Sequence, residues 1–346
     1  MFENYEIMKL IIYFKRHKFL FAFLIVTAAI IVLLPLASVR PIYDPDELSY
    51  GVTFSPRLVR GMGLNWQAAF TAALDDLGVR QFRLMAYWDE IEYKAGVFNF
   101  ADLDWQINEA AQRNASVILA LGYRLPRWPE CHSPEWAKDL TAQERQEKIF
   151  NYLKQVIERY QDRRNIIAWQ VENEPFLPHF GDCPKLDKKF LDQEIKLARS
   201  LDRRPIIVTD SGELSFWVPA ASRADIFGTS LYRDTYSYHF NRYIHYPLTP
   251  GFFRLKANLT EFLSMPKPRD IVVIELQAEP WGPKPYYQLT KEEGERTMNL
   301  EKFRDILEFA RRSSFREFYL WGVEWWYWEK EVNGESRMWN EAAKLF

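Results

Sequence analysis

The sequence predicts a single (β/α)8 barrel preceded by one N-terminal transmembrane helix. Three observations predict the barrel. Short β-branched runs alternate about eight times with amphipathic stretches, the links between them are short, and no glycine-rich phosphate loop follows the first strand. Such alternation implies a parallel sheet, and eight repeats favour a closed barrel over an open doubly wound sheet. The length of 346 residues fits one such barrel with an N-terminal extension.

Each predicted strand is a short apolar run rich in Val, Ile and aromatic residues. The eight runs are residues 50–54, 81–85, 116–121, 166–171, 205–209, 226–230, 271–274 and 318–322. Helical spacing of apolar residues is clearest over 66–77, 149–160 and 300–310. Thr141 and Glu144 predict a capping box ahead of the second of these helices.

Residues 19–39 carry no charge and are predominantly apolar. Roughly twenty apolar residues in a helix can cross a hydrocarbon core of roughly 30 Å. We therefore expect a single-pass signal anchor in the lipid bilayer. A cleaved signal peptide is the alternative, because residues 36–38 include small side chains near a possible cleavage site.

Basic residues set the expected orientation of this anchor. Lys15, Arg16 and Lys18 precede the apolar run, whereas only Arg40 follows it closely. The positive-inside bias then places residues 1–18 in the cytoplasm and the remainder outside it. The sequence thus predicts a short linker over residues 40–48 and an extracytoplasmic barrel over residues 49–346.

Cys131 and Cys183 are the two cysteines of the chain. In an oxidising compartment they can form a disulfide. Free thiols are an alternative, and a zinc site with His132 and His179 is another, although the usual Cys-x2-Cys spacing is missing.

The aromatic content of the chain, and not its charge, bears on the class of ligand. The formal net charge is −2, which gives no indication of a nucleic-acid groove. Aromatic residues make up 16% of the chain, including 13 Trp, and several lie beside Pro or Gly in predicted loops. Aromatic rings suit the C–H face of a sugar, so we expect a carbohydrate substrate. Packing in the core accounts for many of these rings.

Two glutamates stand where a (β/α)8 barrel places its catalytic groups, at the carboxyl ends of strands. Glu174 follows the fourth predicted strand and Glu275 follows the seventh. Across the barrel mouth they could face each other about 5 Å apart, the separation used by retaining glycosidases. Glu172 and Glu279 lie close by in the sequence, and we expect supporting or rim roles for them.

The segment Trp169-Gln-Val-Glu-Asn-Glu-Pro-Phe176 resembles the strand-four motif of the clan A glycoside hydrolases, the cellulase-like and β-galactosidase-like (β/α)8 families. Residues 87–92, 96–100 and 103–104 resemble the strand-two region of the same families. The resemblance implies a retaining O-glycosidase in which Glu174 is the acid/base and Glu275 the nucleophile.

The resemblance also implies the residues around this pair. Asn173 would bind the sugar 2-hydroxyl, and Arg83 and Tyr232 would surround the nucleophile. A Trp near the end of strand eight would form the floor of the −1 subsite. Trp325 is the first candidate for this floor, and Trp321 shares its expected side of the strand.

Further candidates line the expected cleft. Trp128 follows strand three and is a candidate sugar contact, while Trp88, Tyr123 and Arg124 could line the cleft walls. A hydrolase with two glutamates needs no cofactor or metal. A transglycosylase with the same two glutamates is an alternative, and a non-catalytic carbohydrate-binding barrel is another.

Overall fold

The computed structural model describes residues 17–20, 22–30, 41, 43–178, 180–185 and 187–346. The strands in chain order are β1 (Ser49–Thr53), β2 (Gln81–Met85), β3 (Ser116–Leu121), β4 (Ile166–Val171), β5 (Ile206–Asp210), β6 (Ile226–Leu231), β7 (Asp234–Ser237), β8 (Arg242–His245), β9 (Asp270–Gln277) and β10 (Glu317–Trp321). Eight of them form a closed parallel barrel in the order β1-β10-β9-β6-β5-β4-β3-β2. Strands β7 and β8 form a separate antiparallel hairpin after β6. The predicted barrel is confirmed.

Helices connect the strands and surround the barrel. In chain order they are α1 (Pro56–Gly61), α2 (Trp66–Asp75), α3 (Trp88–Ile91), α4 (Ala101–Gln112), α5 (Ala142–Tyr160), α6 (Lys188–Leu201), α7 (Val218–Ala221), α8 (Pro250–Leu263), α9 (Lys291–Glu295), α10 (Leu300–Arg312), α11 (Val323–Val332) and α12 (Arg337–Ala342). The predicted capping box is present at α5, where the Glu144 carboxylate accepts from the Thr141 N–H at 2.9 Å and the Thr141 hydroxyl accepts from the Glu144 N–H at 3.3 Å.

Two layers of apolar side chains bury the two faces of the barrel strands. The outer layer packs alternate strand residues, such as Phe82 and Trp169, against helix residues such as Phe70 and Leu153. The inner layer fills the barrel with strand side chains, among them Ile118, Ala168, Ile207, Val272, Ile274 and Tyr319. Because both faces are buried, the strands are apolar almost throughout, as expected for a parallel sheet.

Strand β9 contains an irregularity that matters for the site. Val273 pairs with Thr229 of β6, but the next pair in register joins Glu275 to Ser230. The pairing of β9 with β10 shifts in the same region. One extra residue on β9 reverses the side to which later side chains point. Glu275 therefore faces the barrel interior, as Ile274 does, instead of sharing the outer face with Val273.

The predicted membrane anchor lies partly outside the described residues. Residues 17–20 and 22–30 are helical. Among the residues that the structure describes, no helix combines the length and apolar character needed to cross a membrane. Residues 21 and 31–39 of the predicted anchor are not among them.

Candidate active site

The carboxyl ends of β2, β4, β6 and β9 bring four predicted site residues together around one arginine. Arg83 of β2 is fully buried and donates from Nε to Gln170 Oε1 at 2.8 Å. Its two terminal nitrogens donate to Glu275 Oε1 and to Asn173 Oδ1, each at 2.7 Å. One rigid guanidinium therefore fixes the β9 carboxylate and the amide beside Glu174 relative to each other.

The other oxygen of Glu275 is bound by a phenol. Tyr232, which directly follows β6, donates its hydroxyl to Glu275 Oε2 at 3.0 Å. Burial and the charge of Glu275 raise the pKa of Tyr232 well above its usual value of 10.0, so the phenol stays protonated as a donor. The Tyr232 ring packs edge-on against Trp281 at 5.1 Å between centroids. Both carboxylate oxygens of Glu275 thus have a donor.

Glu174 lies just beyond β4 in a left-handed backbone conformation, with φ of 41°. Its backbone N–H donates to the Thr209 hydroxyl of β5 at 2.8 Å, and that hydroxyl lies 3.3 Å from Asn173 Oδ1. Burial raises the pKa of Glu174 well above 4.5, and the charges of Glu275 and Asp210 raise it further. Burial and the neighbouring charges thus favour the protonated form of Glu174.

Glu172 has a structural role. Its two carboxylate oxygens accept the backbone N–H groups of Tyr123 and Arg124 at 2.6 and 2.7 Å. Gly122 has φ of 134°, and a Cβ there would lie 2.5 Å from the Glu172 carboxylate, so only glycine permits this approach. Strand β4 ends at Val171, and Glu172 has a φ of 60°. The alternation of side chains along β4 therefore does not extend to Glu172.

Glu279 is engaged in a buried ion-pair network. One terminal N–H group of Arg127 donates a hydrogen bond to Glu279, and the other donates to Glu324 at 2.9 Å. Trp321 donates its indole N–H to Glu279 at 2.8 Å, and the Arg127 guanidinium lies 4.0 Å from the Trp321 ring centroid. The sequence reasoning missed Arg127 and Glu324, because neither ends a predicted strand.

The two tryptophans of the strand-eight region have different surroundings. Strand β10 ends at Trp321, and helix α11 begins two residues later. The alternation that placed Trp325 on the same side as Trp321 therefore does not hold. Trp325 packs in the outer hydrophobic core and donates its indole N–H to Glu329 of the same helix at 3.2 Å. Trp321 is the aromatic ring that ends β10.

The remaining cleft candidates divide into exposed and buried residues. Trp128 is 67% exposed on the loop after β3. Arg124 donates to the carbonyl oxygens of Leu177 and Phe180, each at 2.7 Å, and so holds the loop after β4. Trp88 is fully buried and Tyr123 is half-buried, and their rings meet edge-on at 6.1 Å.

A disulfide joins the loops after β3 and β4. Cys131 and Cys183 are bonded, with a Cα–Cα distance of 5.3 Å. The disulfide prediction is confirmed, and the zinc alternative is wrong because both sulfur atoms are in the covalent bond. His179 lies outside the described residues. His132 packs against Tyr87 at 4.4 Å between ring centroids.

The sequence reasoning also missed a third carboxyl group in the site. Glu130 is buried, and its Oε2 accepts from the Asn173 side-chain N–H at 3.1 Å. The charge of Glu130 raises the pKa of Glu174, and the charge of Glu275 raises the pKa of Glu130. Its position beside Cys131 was a signal in the sequence, since the predicted disulfide ties this residue to the segment around Cys183.

Part of the chain matches a known family model. Residues 84–200, from β2 through α6, match the model of glycosyl hydrolase family 10. This stretch contains the segment from Asn173 to Glu174 and the whole disulfide-linked region. The match and the closed barrel confirm the predicted resemblance to the clan A glycoside hydrolases and support the predicted glycosidase class of enzyme.

Solved structures of glycosidases share this fold at low sequence identity. The exo-β-1,4-mannosidase Op5Man5 from Opitutaceae bacterium strain TAV5 is 13% identical with a TM-score of 0.55, covering 79% of this chain and 51% of that one. The β-galactosidase from Rahnella sp. R3 is 12% identical with a TM-score of 0.56, covering 86% and 55%. An endo-β-1,4-xylanase of family 10 from Gloeophyllum trabeum is 16% identical with a TM-score of 0.53, covering 80% and 84%.

The chain spans about half the length of the first of these structures. No curated protein sequence matches the chain.

Proposed function

We propose that this chain hydrolyses O-glycosidic bonds of a β-linked poly- or oligosaccharide by a retaining double displacement. The observation that carries the proposal is the position of Arg83, which is bonded to Glu275 and to Asn173, the residue next to Glu174. This mechanism requires an ionised carboxylate as the nucleophile and a protonated carboxyl group as the acid.

In the first step, a Glu275 carboxylate oxygen attacks the anomeric carbon while Glu174 donates its proton to the leaving oxygen. Arg83 and Tyr232 hold the attacking carboxylate in one orientation, which lowers the entropic part of the barrier. The raised pKa of Glu174 keeps the proton available at the start of the reaction.

In the second step, the glycosyl-enzyme is hydrolysed by water. The ester bond removes the negative charge of Glu275, and this charge is one of the causes of the raised pKa of Glu174. The pKa of Glu174 therefore falls once the intermediate forms, and its carboxylate can take a proton from the attacking water. The same pair serves both half-reactions.

Asn173 and the aromatic residues bind the sugar in this proposal. The Asn173 amide is bonded to the same guanidinium as Glu275 and binds the 2-hydroxyl, a contact that strengthens in the transition state of glycosidases. Trp321 forms the floor of the −1 subsite, and the exposed ring of Trp128 contacts a neighbouring sugar unit. Trp325 lies in the core and is assigned no sugar contact.

We also propose that residues 19–39 anchor the chain in a membrane, with the N-terminus cytoplasmic and the barrel outside the cytoplasm. The uncharged apolar run and the basic residues before it support this arrangement. The Cys131–Cys183 disulfide supports an oxidising compartment for the barrel.

The test of the proposed chemistry is the removal of Glu275. Glu275→Ala is expected to abolish release of 4-nitrophenol from 4-nitrophenyl β-gluco-, galacto-, manno- and xylosides while the protein remains folded by circular dichroism. Azide should restore turnover of a 2,4-dinitrophenyl β-glycoside by entering the vacated space, with an α-glycosyl azide as the product.

The matched control is Glu301→Ala on the exposed face of α10, which should leave activity unchanged. Undiminished hydrolysis by Glu275→Ala, or a β-glycosyl azide as the rescue product, would refute the assigned nucleophile.

A further inference from the structure

Glu130 is a third buried carboxyl group at the glutamate pair, and the double displacement described above gives it no role. It lies on the loop after β3 and is only 3% exposed. We infer that Glu130 is a positioning residue, which orients the Asn173 amide toward the substrate 2-hydroxyl and is held in place by the Cys131–Cys183 disulfide. This inference rests on the proposed function.

The two ends of the Asn173 amide have different partners. Its Oδ1 accepts from Arg83 at 2.7 Å and lies 3.3 Å from the Thr209 hydroxyl. Its Nδ2 donates to Glu130 Oε2 at 3.1 Å. A primary amide has one acceptor oxygen and two N–H donors, so this arrangement commits the oxygen and one hydrogen and leaves the second hydrogen for the substrate.

Glu130 also opposes the alternative orientation of the amide. If the amide were rotated by 180°, its NH2 group would face the Arg83 guanidinium, and its oxygen would face the Glu130 carboxyl group. Both contacts would bring like groups together, donor to donor and acceptor to acceptor. Arg83 and Glu130 thus fix one orientation from opposite sides.

Several neighbouring groups hold the Glu130 side chain in place. Its Oε2 lies 3.7 Å from Arg124 Nε. Gly181 packs closely against the Glu130 side chain, because a Cβ at Gly181 would lie 2.6 Å from Glu130 Cβ. The next residue, Cys131, is bonded to Cys183, two positions after Gly181. The disulfide therefore ties together the two backbone segments that confine the Glu130 side chain.

The charge of the Glu130 carboxyl group also affects Glu174. Burial raises the pKa of Glu130 to about 7. The charged or titratable groups that act on it or respond to it are Arg124, Arg83, Glu275 and Glu174. The ionised form is the stronger acceptor for the Asn173 N–H, and its negative charge adds to the causes that raise the pKa of Glu174. Removing this charge should lower the pKa of Glu174.

The experiment compares Glu130→Ala and Glu130→Gln with wild type on two substrates. The first is the 4-nitrophenyl β-glycoside that wild type hydrolyses fastest, and the second is its 2-deoxy counterpart. Glu130→Ala should lower kcat/KM about 10- to 100-fold on the first substrate and less than about 3-fold on the second. Glu130→Gln, which keeps an acceptor oxygen, should recover part of this loss and move the alkaline limb of the pH profile to lower pH.

Two controls accompany these variants. Glu135→Gln lies on the same loop, with its side chain 85% exposed, and should match wild type on both substrates. The Cys131→Ser/Cys183→Ser double variant should also lose more kcat/KM on the 2-hydroxy substrate than on the 2-deoxy substrate. Its effect should shrink when combined with Glu130→Gln, because both changes act through Glu130.

Equal losses on the 2-hydroxy and 2-deoxy substrates would assign Glu130 a merely structural role and overturn the inference. Wild-type activity in Glu130→Ala would overturn it too, and if the alanine variant does not fold, an alkaline limb that stays at its wild-type pH in Glu130→Gln would do so. A wild-type protein that hydrolyses no glycoside would instead refute the proposed function itself, and this outcome is distinguishable because no variant is needed to observe it.

Discussion

The disulfide between Cys131 and Cys183 should contribute a large share of the stability of the barrel. The perturbation is the Cys131→Ser/Cys183→Ser double variant, which opens a covalent loop with a sequence separation of 52 residues. In the chain-entropy model, a loop of this size restricts the unfolded chain by about 4 kcal/mol at 25 °C. For a barrel of roughly 300 residues, a change of that size should lower Tm by about 6 °C.

Scanning calorimetry of wild type and of the double variant measures this difference directly. Dithiothreitol should lower the Tm of wild type to that of the double variant and leave the variant itself unchanged, which separates loss of the bond from any effect of serine. A difference in Tm below about 1 °C would refute the reasoning, since the loop would then be restrained by other contacts in the unfolded chain.

Four further outcomes are expected. Glu174→Gln should slow phenyl β-glycosides far more than 2,4-dinitrophenyl β-glycosides, because good leaving groups need no acid; equal slowing would contradict the acid role. In wild type, the alkaline limb of the kcat/KM profile should lie well above pH 4.5, at the raised pKa of Glu174, because the proton donor is lost there. An alkaline limb near pH 4.5 would contradict this. Arg127→Met should lower the free energy of unfolding by about 3 to 5 kcal/mol in urea titrations by leaving two buried carboxyl groups without their cation, whereas Arg304→Met in an exposed ion pair should change it by less than about 1 kcal/mol. Trp128→Ala should raise KM several-fold for oligosaccharides and leave KM for single aryl glycosides unchanged, if its exposed ring binds a sugar beyond the cleavage site.

The site depends on backbone features that strand alternation does not predict. Sequence reasoning selected Glu275 because it follows the apolar run 271–274, yet β9 continues to Gln277. On a regular strand, Glu275 would share the outer face with Val273. The extra residue in β9 turns it inward, and such a bulge is set by pairing with β6 and β10, which are distant in sequence.

The same limit explains the tryptophan in the strand-eight region. Trp321 and Trp325 are four residues apart, so both a strand and a helix place them on one side. Sequence patterns did not fix where β10 ends, and the change to helix α11 after Gly322 moves Trp325 into the core. Glu130 and Arg127 were missed for a related reason, since the loop that carries both has no periodic pattern and their partners are distant in sequence.

By itself, the sequence determined the eight-stranded barrel, the helices between the strands and the resemblance of the strand-four segment to glycoside hydrolases. These properties follow from local periodicity and from short motifs, which the order of residues states directly. Only the tertiary structure decided which of the neighbouring carboxyl groups are committed to backbone N–H groups, as Glu172 is, or to ion pairs, as Glu279 is. The reason is physical: the charge and orientation of a buried carboxyl group are set by neighbours that the fold brings from distant parts of the chain.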